Sequence, residues 1–266
     1  MEEVFGSPVQ KRMQILGEHL AGLLSRDPRF CSHGRGVAVA DYGPEAADLV
    51  ESLARLVGAS SCELVPKTIS RDFQHELERR GLRTDVIGNF IGGSEAIDIA
   101  RAVVEKKPLP NDLTVTVIDG ASSLHLVQAF AEVSIAHGVL PPIGPVIRGV
   151  SRPGFGMVAF DAGGRPVATA GAVRSRHPDH PMADMVQWGQ LATVTDRQGQ
   201  GIARTIGAMA ILEAAERLGA RSFRTGINPT NSASTRLCSS LGVCDSDYVI
   251  VAAMDPVEFS DERVTK

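Results

Sequence analysis

A strand that runs into a glycine-rich turn and directly on into a helix restricts this chain more than any other feature. The turn reads Arg197-Gln198-Gly199-Gln200-Gly201-Ile202-Ala203. Residues 186–195 before it have strand character. After it, Ile206, Met209, Ala210, Ala214 and Leu218 recur at helical spacing until Gly219 ends the pattern. Such a passage belongs to layered α/β folds, in which helices cover a sheet. It also has a chemical consequence. The first N–H groups of a helix have no partner within it, and the aligned peptide dipoles add partial positive charge there. Glycines at 199 and 201 remove the side chains that would keep an anion off the backbone. Arg197 and Arg204 flank the turn as further donors. Taken alone, a Gly-rich turn is also an ordinary structural turn. Two nucleotide loops are excluded by spelling. A Walker loop requires a lysine that this segment lacks, and the G-x-G-x-x-G fingerprint meets Arg204 where its third glycine should stand.

The rest of the chain fits a globular protein. Its 266 residues are 43% hydrophobic and 22% charged, with a net charge of -4. A balance this mild gives no basic surface for nucleic acid. No stretch approaches the roughly 18–20 apolar residues of a membrane span. Met1-Glu2-Glu3 is acidic where a secretory signal is basic. Cys31, Cys62, Cys238 and Cys244 are scattered without metal-ligand spacing, so a reduced, cytoplasmic protein without metal is expected. His177 and His180 near Asp179 read as a surface loop rather than a metal site.

Helices are predicted over 8–25, 44–57, 73–80, 97–106, a segment starting at Ser122 or Ser123, 202–218 and 232–241. Ser94 is the expected N-cap of the 97–106 helix. Strands are predicted over 37–40, 62–65, 84–91, 113–118, 156–160, 166–174, 186–195, 222–227 and 248–253. Lys107-Pro108-Leu109-Pro110-Asn111-Asp112 is the best linker and divides the chain into residues 1–110 and 111–266. The expected class is mixed α/β, a mixed sheet flanked by helices.

At this point the residues resemble a family. Gln198-Gly199-Gln200-Gly201-Ile202-Ala203 matches the [Q/R]-x-x-G-x-[G/A] turn of the GNAT superfamily of N-acetyltransferases. Downstream, Asn231, Leu237, Leu241 and Gly242 match its second motif, an asparagine followed by a helix ending in Leu-Tyr-x-x-Leu-Gly-Phe. The resemblance covers roughly residues 113–255. It implies transfer of an acetyl group from acetyl-CoA to a primary amine by direct attack in a ternary complex. Backbone groups of Leu191 and Thr193 would pair with the pantetheine arm at a bulged, splayed strand. The amides of Gln198, Gly199, Gln200, Gly201, Ile202 and Ala203 would hold the pyrophosphate. Asn231 would contact the cosubstrate, cap its helix, or both.

The sequence departs from the family where proton transfer is concerned. Cys238 stands in place of the tyrosine that protonates the leaving thiolate. Three readings stay open: Cys238 as a weak acid, Cys238 as core packing, or a proton from water or from Tyr248. The strand 186–195 has no carboxylate, and Asp184 just before it is the candidate base. Trp188 lines the acceptor pocket or packs in the core. Arg148 and Arg152 stand where they would attract an acidic acceptor, or are simply exposed. The order of elements before residue 92 is similar to the back half of a GNAT unit, without the phosphate turn. That suggests a degenerate half that shapes the acceptor site. The expected partner is a small-molecule or peptide amine, with no nucleic acid or membrane and with a homodimer left open. The rival reading is a non-catalytic acyl-CoA-binding module.

Overall fold

The computed structural model describes residues 3–259. Met1 and Glu2 of the acidic start and residues 260–266 of the second unit lie outside the described residues. The N-terminal part comprises α1 (Pro8–His19), α2 (Ala21–Leu24), β1 (Phe30–Cys31), β2 (Ala38–Val39), α3 (Ala46–Val57), β3 (Ala59–Pro66), α4 (Ser70–Arg79), β4 (Arg83–Gly92) and α5 (Glu95–Lys106). Then follow β5 (Thr114–Ile118), α6 (Leu124–Ala136), α7 (Gly144–Ile147), β6 (Gly154–Phe160), β7 (Pro166–Arg174), β8 (Met185–Thr193), α8 (Ile202–Leu218), β9 (Ser222–Ile227), α9 (Ser232–Ser239) and β10 (Cys244–Met254).

All ten strands form one mixed sheet in the order β1-β2-β3-β10-β4-β9-β8-β7-β6-β5. The order shows an internal repeat. The succession β2–α3–β3–α4–β4 recurs as β8–α8–β9–α9–β10. In each copy the strands joined by the first helix are parallel, with Val39 opposite Cys62 and Val186 opposite Phe223. The last strand of each copy then crosses over. β4 pairs antiparallel with β9, β10 pairs antiparallel with β3, and β4 and β10 pair with each other. Each half therefore completes the sheet of the other, and neither has a free central edge. The first helix of each copy ends at a glycine in left-handed conformation, Gly58 (φ 94°) and Gly219 (φ 58°).

Alternation along the strands assigns the faces. Val249, Val251 and Ala253 of β10 pack with Val50 and Leu53 of α3 and Phe73 and Leu77 of α4. Ile250 and Ala252 between them point to the opposite face and line a cavity. In the C-terminal part, Met157 and Ala159 join the core shared by α5 and α8, while Val158 faces Phe130 of α6.

Several predicted bounds shift. The segment 27–36 contains β1, held by pairing with β2 rather than by any pattern of its own. The helix predicted over 8–25 is interrupted at Leu20, whose ψ of 7° leaves the helical basin. Ser94 makes no side-chain cap; the Gly93 N–H is instead taken by Glu95 Oε1. β10 starts at Cys244, earlier than predicted, because pairing with Ile91 and Phe90 carries a polar, exposed stretch into the sheet. His180 is buried, not on a surface loop. Its Nε2 lies 2.6 Å from Asp41 Oδ2, a partner from the other half of the chain.

Candidate active site

The β8–β9 pair is the centre of the site. These parallel strands share only Met185–Ser222, Val186–Phe223 and Gln187–Arg224, and beyond that point they are unpaired. On its other side β8 carries a bulge. The β7–β8 register shifts between Thr169 and Gly171, and Gln190 there has a φ of 56°, the one positive φ among described non-glycine residues. The strands thus splay from Gln187 and Arg224 and leave a slot open toward the end of β8. The Val194 N–H donates to the Val167 carbonyl, so Val194 and Ala192 turn their peptide groups to β7. By alternation Leu191 and Thr193 turn theirs to the slot.

The glycine-rich turn closes the far end of β8. Gly201 is the N-cap of α8 with a φ of 81°, and Gly199 has a φ of 77°. Only glycine takes this backbone without strain. A Cβ built at either position would meet nothing within 4 Å, so the approach to the backbone is open. The first bond into the helix runs from the Thr205 N–H to the Gly201 carbonyl, which leaves the Ile202, Ala203 and Arg204 amides without an intrahelical acceptor. Gln198 braces the turn by donating from Nε2 to the Thr193 carbonyl at 3.0 Å. Arg197 is directed away, to Asp112 (2.8 Å) and Gln200 (3.0 Å), and Arg204 reaches the Ser240 carbonyl (3.3 Å).

The equivalent turn of the N-terminal half cannot hold an anion. It reads Asp41-Tyr42-Gly43-Pro44-Glu45. Pro44 has no N–H, the N-cap is the carboxylate Glu45, and Gly43 is not in the left-handed region. Asp41 is engaged by His180 and Arg176, and Glu45 by Arg29.

From the slot opens a cavity of about 240 Å³. Asn231, Ser234 and Cys238 of the α9 segment line it on one side of the sheet. Ser61, Glu63, Asp85, Ile87, Ile250 and Ala252 line it on the face opposite α3 and α4, so it passes through the splay. His33, Arg35 and His137 complete the wall. Glu63 and Arg224 are both buried and form an ion pair. Gln187 Oε1, Thr193 Oγ1, Arg35 Nε and Arg224 Nε are buried and have no hydrogen-bond partner among the described residues. Burial, then the neighbouring Arg35 and Arg224, hold His33 well below the usual histidine range.

The predicted residues separate into those the fold gathers and those it does not. Leu191, Asn231 and Cys238 line the cavity, and Thr193 and the 198–203 turn adjoin the slot. Asn231 Oδ1 accepts the Ser234 N–H at 3.0 Å and so caps α9. Cys238 is buried, and burial pushes its thiol up to about 12. Tyr248 and Asp184 are not in the cavity wall. Asp184 precedes β8 and lies six residues from Gln190, about 20 Å along a strand. Trp188 is in the core, its indole N–H donating to the Gly207 carbonyl at 3.1 Å. Arg148 and Arg152 are occupied by Glu3 and Glu18. His33, Arg35, Glu63, Asp85 and Arg224 escape a reading by motif, because pairing between the two halves brings them together. Among the described residues no helix is long and apolar enough to cross a membrane, and no group of His, Cys, Asp or Glu is arranged to hold a metal ion.

The sequence matches no model of a known family and no curated protein. Solved structures are similar to it. A GCN5-related N-acetyltransferase from Kribbella flavida has a TM-score of 0.58 at 15% identity, over 92% of this chain and 95% of that one. A GNAT-family protein from Novosphingobium aromaticivorans has a TM-score of 0.51 at 16% identity, over 93% and 97%. A tandem GNAT protein from the clavulanic acid biosynthesis pathway, solved without acetyl-CoA, has a TM-score of 0.52 at 12% identity, over 79% and 68%. The chain has the GCN5-related N-acetyltransferase fold. More particularly, its strand order and crossed-over last strands describe two similar halves sharing one sheet, with an open glycine-rich turn at the first helix of the C-terminal half alone.

Proposed function

We propose that this protein is an acyl-CoA-dependent N-acyltransferase, with acetyl-CoA as donor and an amine as acceptor. One observation carries the reading: the β8–β9 slot, bulged at Gln190, leads directly to the unobstructed N-terminus of α8. In this reading the Leu191 and Thr193 peptide groups extend the sheet to the pantetheine arm as an added strand would. The amides from Gln198 to Ala203 receive the pyrophosphate. Asn231 uses Oδ1 for its helix, which leaves its Nδ2 as a donor for the cosubstrate.

The donor supplies a thioester carbonyl at the splay. The acceptor nitrogen forms the new C–N bond, the C–S bond breaks, and the departing sulfur takes up a proton. Outward-turned amides near Leu191 stabilise negative charge developing on the carbonyl oxygen. Asp85 has no ion-pair partner among the described residues and lines the acceptor side, so it pairs with the incoming ammonium and receives its proton before attack. The N-terminal half thus supplies the acceptor wall rather than a second donor site.

Cys238 favours one alternative, a non-catalytic acyl-CoA-binding module. A thiol pushed up to about 12 is a poor proton donor to another thiolate. Thiol release from acetyl-CoA in the presence of an amine panel separates the two. Amine-dependent release supports the enzyme; tight coenzyme A binding without release on any amine supports the module.

A further inference from the structure

The acceptor side of the cavity contains a cation with no counter-ion. Arg35 makes no ion pair or hydrogen bond among the described residues; it is half-buried, with its Nε covered. Burial lowers its basicity to about 10, so it stays charged at neutral pH. The other cavity arginine, Arg224, has Glu63. Arg148, Arg152 and Arg176 nearby each have an acidic partner as well. A guanidinium taken out of water without a partner is unfavourable unless an anion joins it.

The register places Arg35 relative to the free carboxylate Asp85. Ser61 on β3, Ala252 on β10 and Asp85 on β4 form one row, so Asp85 stands two strand spacings, about 10 Å, from Ser61. The neighbouring Ser60 hydroxyl donates to the Val37 carbonyl at 2.9 Å, which ties the segment carrying Arg35 along β3. The segment carrying Arg35 lies beyond β3, so one wall of the cavity offers an unpaired cation, and a wall about three strands away an unpaired anion.

We propose that the acceptor is an amino acid, its carboxylate held by Arg35 and its amine directed to Asp85 and the slot. This rests on the acyl-CoA reading above and adds the substrate class. The planar fork of an arginine suits a carboxylate, and pairing there satisfies a half-buried charge only when the right acceptor is bound. Discrimination then follows, because an amine without the carboxylate leaves Arg35 unpaired.

The test measures thiol release from acetyl-CoA with each free amino acid and with its carboxamide, using wild type, Arg35→Gln and Arg35→Lys. In wild type, kcat/KM for the best acceptors falls at least tenfold on amidation. Arg35→Gln loses a similar factor on the acids and little on the amides, and Arg35→Lys lies between. The melting temperature of Arg35→Gln stays at or above that of wild type, since an unpaired, half-buried charge is removed. Equal use of acids and amides, or an equal loss on both in Arg35→Gln, overturns the proposal. Turnover of neither series, with coenzyme A still binding, overturns it while the donor site stands. Loss of coenzyme A binding in wild type removes the donor reading and this inference with it.

Discussion

Glu63 and Arg224 occupy equivalent places in the two halves, and they pair with each other. Glu63 follows the helix-ending Gly58 by five residues (58 to 63), and Arg224 follows Gly219 by the same number (219 to 224). One position of the repeat has become acidic and its counterpart basic, so the halves meet at a buried ion pair. Its two members also form part of the cavity wall, which couples association of the halves to the shape of the cavity.

Removing one partner leaves a buried charge unpaired. Glu63→Gln and Arg224→Met are each expected to lower unfolding free energy by about 3 kcal/mol, measured as a drop in urea midpoint at unchanged slope. The double variant Glu63→Met/Arg224→Met should recover most of that loss. Single variants as stable as wild type would show that the pair is not buried in solution.

Legibility in the sequence followed the range of the interactions. The helix 202–218 and the strands 166–174 and 222–227 are bounded as predicted, because local periodicity and a terminal glycine set them. β1 was invisible because two residues carry no period and their register comes from β2. The glycine-rich side of the site is one continuous segment, strand to turn to helix, so its spelling is readable. The far wall of the cavity is assembled from Arg35, Glu63, Asp85 and Arg224, which lie on four separate segments. No spacing rule joins them. Arg148 and Arg152 looked equally suited to an acidic ligand, and only their pairing with Glu3 and Glu18 distinguishes them from Arg35.

His33 gives stability a pH dependence with a definite sign. Its folded form stays neutral well below the ordinary value of 6.5, whereas the unfolded chain is protonated there. The unfolded state then binds more protons, so stability falls as pH drops below about 6.5, by up to about 1.4 kcal/mol per pH unit. Urea titrations between pH 7 and 5 should show this slope, and His33→Asn should flatten it. An unchanged slope in His33→Asn would assign the dependence to other groups.

Cys238 should prove dispensable as an acid. Removing a true general acid costs roughly 100-fold or more. Since its buried thiol is pushed up to about 12, Cys238→Ala is expected to keep turnover within a few-fold of wild type. In the native protein, iodoacetamide at pH 8 should modify the exposed Cys244 and spare the buried Cys31, Cys62 and Cys238. A hundredfold loss of kcat in Cys238→Ala would restore the thiol to the proton path.

The most direct test of the account is calorimetric titration of coenzyme A into wild type and Ala203→Glu. Ala203 lies in the first turn of α8, where a glutamate suits the helix but places negative charge among the amides assigned to the pyrophosphate. Saturable binding to wild type is expected, and at least tenfold weaker binding to a variant that melts no lower. Equal affinity in the two proteins would remove the turn from the site, and absence of binding to wild type would contradict the acyl-CoA reading outright.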